Sequence, residues 1–221
     1  MTTNARGLGS LLLVIALVPV IASPAWADQV PAGLKALEES SEKIADVASD
    51  ASRLKAALQT LERDHEAAAT ELAKAEAPAA VREGLRAGLA RVMEAAGRGN
   101  ANAIGSAATE LMLAVADAYD VFHPRRPTDL LRLDALAVRV PLDIASGQRE
   151  DAAAHGALLA AAWDRLRPGL GPGSTGTAAA MTREVTGLRS AVAKGADAAV
   201  LSSARAIEDL VDELEKAFPE A

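Results

Sequence analysis

From Leu37 the apolar positions recur at alternating spacings of three and four. Leu37, Ile44, Ala51, Leu58, His65 and Leu72 form one row, and Val47, Leu54, Leu61, Ala68 and Ala75 form a second. A repeat of about 3.5 residues is the mark of a heptad seam. The pattern therefore predicts one long first helix over 37–75, ended by Pro78, because a proline disfavours helix at the residue before it. Its stripe is to be buried in a bundle or against a second copy, which makes a homodimer through the 37–75 helix one expected assembly.

The helical period continues to the end of the chain. Val81, Leu85, Leu89, Val92 and Ala96 predict a second helix over 79–96. Gly97-Arg98-Gly99-Asn100 turns it back into a third, marked by Ile104, Ala108, Leu111, Val115, Ala118 and Phe122, and the two make an αα-hairpin. His123-Pro124-Arg125-Arg126-Pro127 breaks the pattern. Thr128 then has the chemistry of an N-cap for a fourth helix that is apolar on more than one face and therefore central, with Pro141 inside it as a kink and Gly147 at its end. A fifth helix over 149–167 precedes a Gly/Pro-rich loop, Pro168 to Gly176, and a second hairpin closes the chain with a turn at Gly195.

Shifting this last hairpin back by 96 residues places Gly195 on Gly99, Val200 on Ile104, Ile207 on Leu111, Val211 on Val115 and Phe218 on Phe122. Residues 79–122 and 175–218 thus read either as a duplication or as two hairpins of similar length whose stripes coincide. The fold class expected is all-α: an antiparallel bundle of six to seven helices, with two αα-hairpins around a central kinked helix, forming one domain over 28–221.

Composition supports helix over strand. Alanine is abundant, and after residue 27 only Tyr119, Phe122, Trp163 and Phe218 are aromatic, so helices are expected to approach closely through thin interfaces. The first 27 residues have the form of an export signal. Met1 to Arg6 carries one positive charge, Leu8 to Ala22 is apolar, and Ala25-Trp26-Ala27 presents small residues to a signal peptidase. Cleavage between Ala27 and Asp28 is expected, giving a periplasmic or secreted protein without a membrane anchor. The apolar run is shorter than the roughly 20 residues of a spanning helix. With one arginine and no twin-arginine pair, the general secretory route follows.

The chain has no cysteine. That excludes disulfides, lipid attachment, thiolate metal sites, iron–sulfur clusters and covalent haem. The formal charge is −7; without Arg6 it becomes −8. An acidic balance argues against nucleic acid and anionic lipid as partners.

Candidate chemistry is sparse. His65 interrupts the seam, and Glu62 precedes it by three, the Glu-x-x-His spacing that di-iron bundles use twice and this chain uses once. Asp120 and His123 repeat the spacing loosely at a helix end. His155 lies on an apolar stripe of the fifth helix, so His65, Glu62 and His155 are the candidate ligands for a transition metal. A non-covalent haem held by histidine and one of Met93, Met112 or Met181 is a variant of that reading. The bland alternative is that His65 is a core-edge histidine bonded to a neighbour. Arg132 and Arg139 lie seven apart on one face of the fourth helix, as candidate contacts for an anion or a partner; Arg139 can also pair with Asp143 one turn on. No nucleophile elbow, Walker loop or His-Glu-x-x-His motif is present in the sequence. The function expected is therefore non-enzymatic: an exported module that binds a protein or a small ligand and needs no cofactor. The competing expectation is a metal- or haem-binding bundle.

Overall fold

The computed structural model describes residues 30–218. The expected leader, 1–27, and the expected mature N-terminus, Asp28, lie outside the described residues. Within them the chain is all-α, with eight helices and no strand. None of those helices is long and apolar enough to cross a membrane.

Helices α1 (Ala32–Val47), α2 (Ala51–Lys74), α3 (Ala79–Arg98) and α4 (Ala101–Asp120) pack in sequence, and α4 returns onto α1 to close a four-helix bundle. Helices α5 (Asp129–Ala145), α6 (Arg149–Leu166), α7 (Thr175–Lys194) and α8 (Asp197–Glu215) close a second in the same way, α8 packing on α5. Each bundle has its own apolar core. Leu34, Leu37, Ile44, Leu61, Leu85, Val92 and Leu111 belong to the first; Leu130, Leu133, Leu159, Trp163, Met181, Leu188 and Ile207 belong to the second. The bundles meet where α4 packs on α5.

The single helix expected over 37–75 is two. Asp50 ends the continuity because its carboxylate accepts the backbone N–H groups of Ser52 (3.0 Å) and Arg53 (3.2 Å), starting a new helix as an N-cap. The heptad spacing survives the break because α1 and α2 pack on each other and each buries one stripe: Leu37, Ile44 and Val47 on α1, Leu61, Ala68 and Leu72 on α2. The homodimer expected through a 37–75 helix therefore has no such helix to form it. The count rises from six or seven helices to eight for the same reason.

Other boundaries follow the sequence closely. Gly99 and Gly195 both end their helices in the left-handed conformation, φ 67° and 68°, which a residue without Cβ adopts at no steric cost. Gly147 ends α5 at φ 75°. Helix α5 is central, touching α4, α6 and α8, and runs through Pro141. Thr128 stands at its N-terminus without capping it; the hydroxyl donates to Asp120 Oδ1 instead. The loop after α6 contains two short 3-10 turns, Arg167–Gly169 and Pro172–Ser174.

The 96-residue correspondence of buried positions reaches further than the hairpins. Buried Leu34, Leu37, Ile44 and Val47 of α1 fall on buried Leu130, Leu133, Val140 and Asp143 of α5. Helices α2 and α6 also begin and bury their residues in parallel, at a shift of 98: Leu61 corresponds to Leu159 and Ala68 to Leu166. Both halves are therefore the same four-helix design.

Candidate ligand cleft between the two bundles

The expected metal ligands are not brought together. His65 belongs to α2 in the first bundle and His155 to α6 in the second. Glu62 is exposed. His65 hydrogen-bonds the Leu85 backbone on α3, burial holds its pKa below the usual imidazole value, and its Nε2 is buried without a partner. The Nδ1 of His155 lies 2.6 Å from Asp143 Oδ2. Met181 is in the second core, and Met112 is buried on α4. Among the described residues no group of three or more His, Asp or Glu side chains is placed to hold a metal ion.

The two arginines singled out on α5 are held by internal carboxylates. Arg132 donates to Asp117 at 2.7 Å and Asp120 at 2.6 Å. Arg139, 8% exposed, donates through Nε to Asp143 at 2.7 Å and through Nη1 to Glu110 and to the Ser106 carbonyl, both at 2.9 Å. Asp143 is fully buried and thus shared between Arg139 and His155. The expected Arg139–Asp143 pair forms, and it belongs to a chain of charges from Arg91 through Glu110, Arg139 and Asp143 to His155 that ties the two bundles together. These guanidiniums join α4 to α5, and each has its counter-charge in place.

Arg139 borders one concavity, with Arg91, Arg98 and Glu110, and another lies between the bundles. A cleft of about 390 Å³ opens between α1, the C-terminal ends of α4 and α8, the 124–128 linker and the first turns of α5. A volume in this range suits a small molecule, and junctions between domains are where such sites concentrate. Its walls carry carboxylates from three helices: Glu38, Glu39 and Glu42 from α1, Asp134 from α5, Asp212 and Glu215 from α8. They stand on the fringe of each helix's apolar stripe, one or two turns apart, so packing of the cores turns all of them toward one space. Lys35 and Arg126 are the cations of the lining, and Arg126 pairs with Glu215. The Arg126 Nε is buried without a hydrogen-bond partner. Tyr119 of α4 brings the only aromatic ring of the lining, its hydroxyl donating to Glu38.

Crowding carboxylates away from water favours their neutral form. Burial pushes Glu42 up to about 7, helped by the charges of Asp134, Glu38 and Glu215. Burial does the same to Asp134, also to about 7, with Glu208, Glu215 and Asp212 adding to it. Glu38 and Glu215 are raised by burial too, Arg126 opposing the shift in both. Burial and the neighbouring Glu38 raise the Tyr119 phenol, so it stays a hydrogen-bond donor. The cleft is therefore a negative space in which two carboxyl groups titrate near neutrality.

The residues of this cleft were not among the candidates read from the sequence. The signal for them is the repeat itself. Of the lining acids, Glu39 falls on Ala135, Glu42 on Val138 and Asp212 on Ala116, acids facing apolar counterparts, whereas Glu38 and Asp134 fall on each other. Compared with protein-family models, with curated proteins and with solved structures, the chain matches none.

Proposed function

We propose that this chain is an exported, non-enzymatic binding module whose ligand is an organic cation, an amine or guanidinium, taken up in the cleft between the two bundles. The observation that carries the reading is the excess of carboxylate over cation in a concave site of small-molecule size. Two of those groups, Glu42 and Asp134, hold their protons to about 7 because burial, and after it the neighbouring carboxylates, disfavours their charged forms. A bound ammonium group relieves that charge, and the Tyr119 ring offers an aromatic surface to an alkylammonium chain. Export is supported by the leader pattern of Met1 to Ala27, and intact-mass measurement of the exported protein should find Asp28 at its N-terminus.

Isothermal titration with spermidine, with magnesium ion as the comparison, tests the binding. Saturable spermidine binding is expected at pH 8, weakening toward pH 5.5 as Glu42 and Asp134 take up protons, and falling at least about tenfold in Asp134→Asn. Absence of saturable spermidine binding, or equal affinity in Asp134→Asn, would overturn the reading.

A further inference from the structure

The cleft is one side of a larger array. Helices α1, α4, α5 and α8 stand between the two cores: α1 packs on α4, α4 on α5 and α5 on α8, while α8 and α1 face each other across the cleft. Exchanging the two repeats carries α4 and α5 onto α8 and α1. The open side is thus the counterpart of the packed α4–α5 side.

The counterpart positions differ in kind. On the packed side Leu131 reaches the first core, Leu113 packs against the second, and Leu142 lies against Gly105, where a Cβ would meet its Cδ1 at 3.0 Å. The open side has Lys35, Asp209 and Asp46 in those three places. Opposite Asp46, in the place of Gly105, is Leu201, left 46% exposed. Apolar contacts on the packed side thus have charged residues as their counterparts on the open side.

Resting on the reading of this cleft as the ligand site, we infer that the α1–α8 side is a proton-controlled gate: it stands open while its carboxylates are ionised and closes, α8 onto α1, when they are neutralised. The groups facing the gap come from every bordering element. Helix α1 supplies Lys35, Glu38, Glu39 and Glu42, with Asp46 and its partner Lys43 beyond them, and α8 supplies Asp212 and Glu215, with Glu208 and the charges acting on it, Arg205 and Asp209, on the turns before. Asp134 of α5, Tyr119 of α4 and Arg126 of the linker complete them. Acids outnumber cations among these groups, so lowering pH removes net repulsion. The charges of Asp46 and Glu208 already act on each other across the gap. Burial raises Glu208 too, in the same direction as Glu42 and Asp134. Closure would bring α1 and α8 to the ordinary helix–helix distance of about 8–10 Å and cover Leu201.

A chain without cysteine accepts two spin labels cleanly. Gln59→Cys on α2 and Thr186→Cys on α7 are exposed positions outside the cleft, and α2 moves with α1 as α7 moves with α8. Double electron–electron resonance should give a distance distribution that shifts to shorter values between pH 8 and pH 5. Adding Glu42→Gln, Asp134→Asn and Glu208→Gln should give the short distance at both pH values. A wild-type distribution unchanged between the two pH values overturns the gate, and so does a neutralised variant that keeps the long distance at pH 5. Spermidine binding read on the same labelled protein separates the two ideas. Binding without any pH-dependent shift leaves the cleft reading standing and removes the gate, whereas a shift without binding does the reverse.

Discussion

The two sides on which the bundles face each other have the same backbone design and opposite chemistry. Where α4 meets α5, apolar side chains interdigitate and both arginines are satisfied: Arg132 by Asp117 and Asp120, Arg139 by Glu110 and Asp143. Where α1 faces α8, carboxylates line both walls, and of the two lining cations Arg126 pairs with Glu215. The first side is a joint and the second a cleft. The difference teaches that one helical design can carry paired charges on one side of the bundle junction and crowded carboxylates on the other.

The largest effect should come from the joint. Arg139→Ala leaves Asp143, fully buried, without its guanidinium partner and with only the contact to the His155 ring. Breaking a buried pair from one side costs about 3–5 kcal/mol, and a loss of that size is expected in urea unfolding. A loss below about 1 kcal/mol would mean that the charge chain does not hold the bundles together.

Next is an exchange across the repeats. Met112, 7% exposed, corresponds to Glu208. Met112→Glu puts the acid of the open side into a buried position and should destabilise by roughly 3 kcal/mol at pH 8, less at pH 5 where the carboxyl protonates. Glu208→Met should be neutral or stabilising. If both changes destabilise equally, the two sides are not chemical opposites.

The wild-type dependence on pH is smaller. Glu42 and Asp134 have folded-state values of about 7, against 4.5 and 3.8 as ordinary carboxyls. The folded state therefore binds protons that the unfolded state has released. Their stabilisation is fully present below about pH 4 and is lost as pH rises through 7. With allowance for solvent screening of these half-buried groups, the protein should be more stable at pH 5 than at pH 8 by on the order of 2 kcal/mol. Asp134→Asn should flatten part of that slope in chemical denaturation at the two pH values. Stability that rises from pH 5 to pH 8 would contradict the charge crowding.

How much of this was legible in the sequence differs by level. The stripes gave the helix faces because burial selects them directly: Leu85, Val92, Ile104, Leu111, Val185, Ile207 and Val211 are buried as their spacing implies. The break at Asp50 was hidden because Val47 and Leu54 remain seven apart across a tight turn, so the period alone reads through it. Asp50 itself carried the missing signal, an N-cap residue followed by Ser52 and Arg53. The histidines drew attention as rare polar residues on apolar stripes, but each is bonded within its own bundle, His65 to Leu85 and His155 to Asp143. Glu42 and Asp134 belong to no motif or spacing that singles them out. Their site is made by four helices meeting, which no single helical period encodes; comparison of the two halves marks Glu42, opposite Val138, but not Asp134, which falls on Glu38.

Under the proposed gate, charge alone keeps α1 from packing on α8. Small-angle X-ray scattering at pH 8 on a variant carrying the apolar counterparts, Glu42→Val, Asp46→Leu, Glu208→Met and Asp209→Leu, tests it most directly. A radius of gyration smaller than the wild type's, no longer changing between pH 8 and pH 5, is predicted. A folded variant that scatters as the wild type does at pH 8 would contradict it.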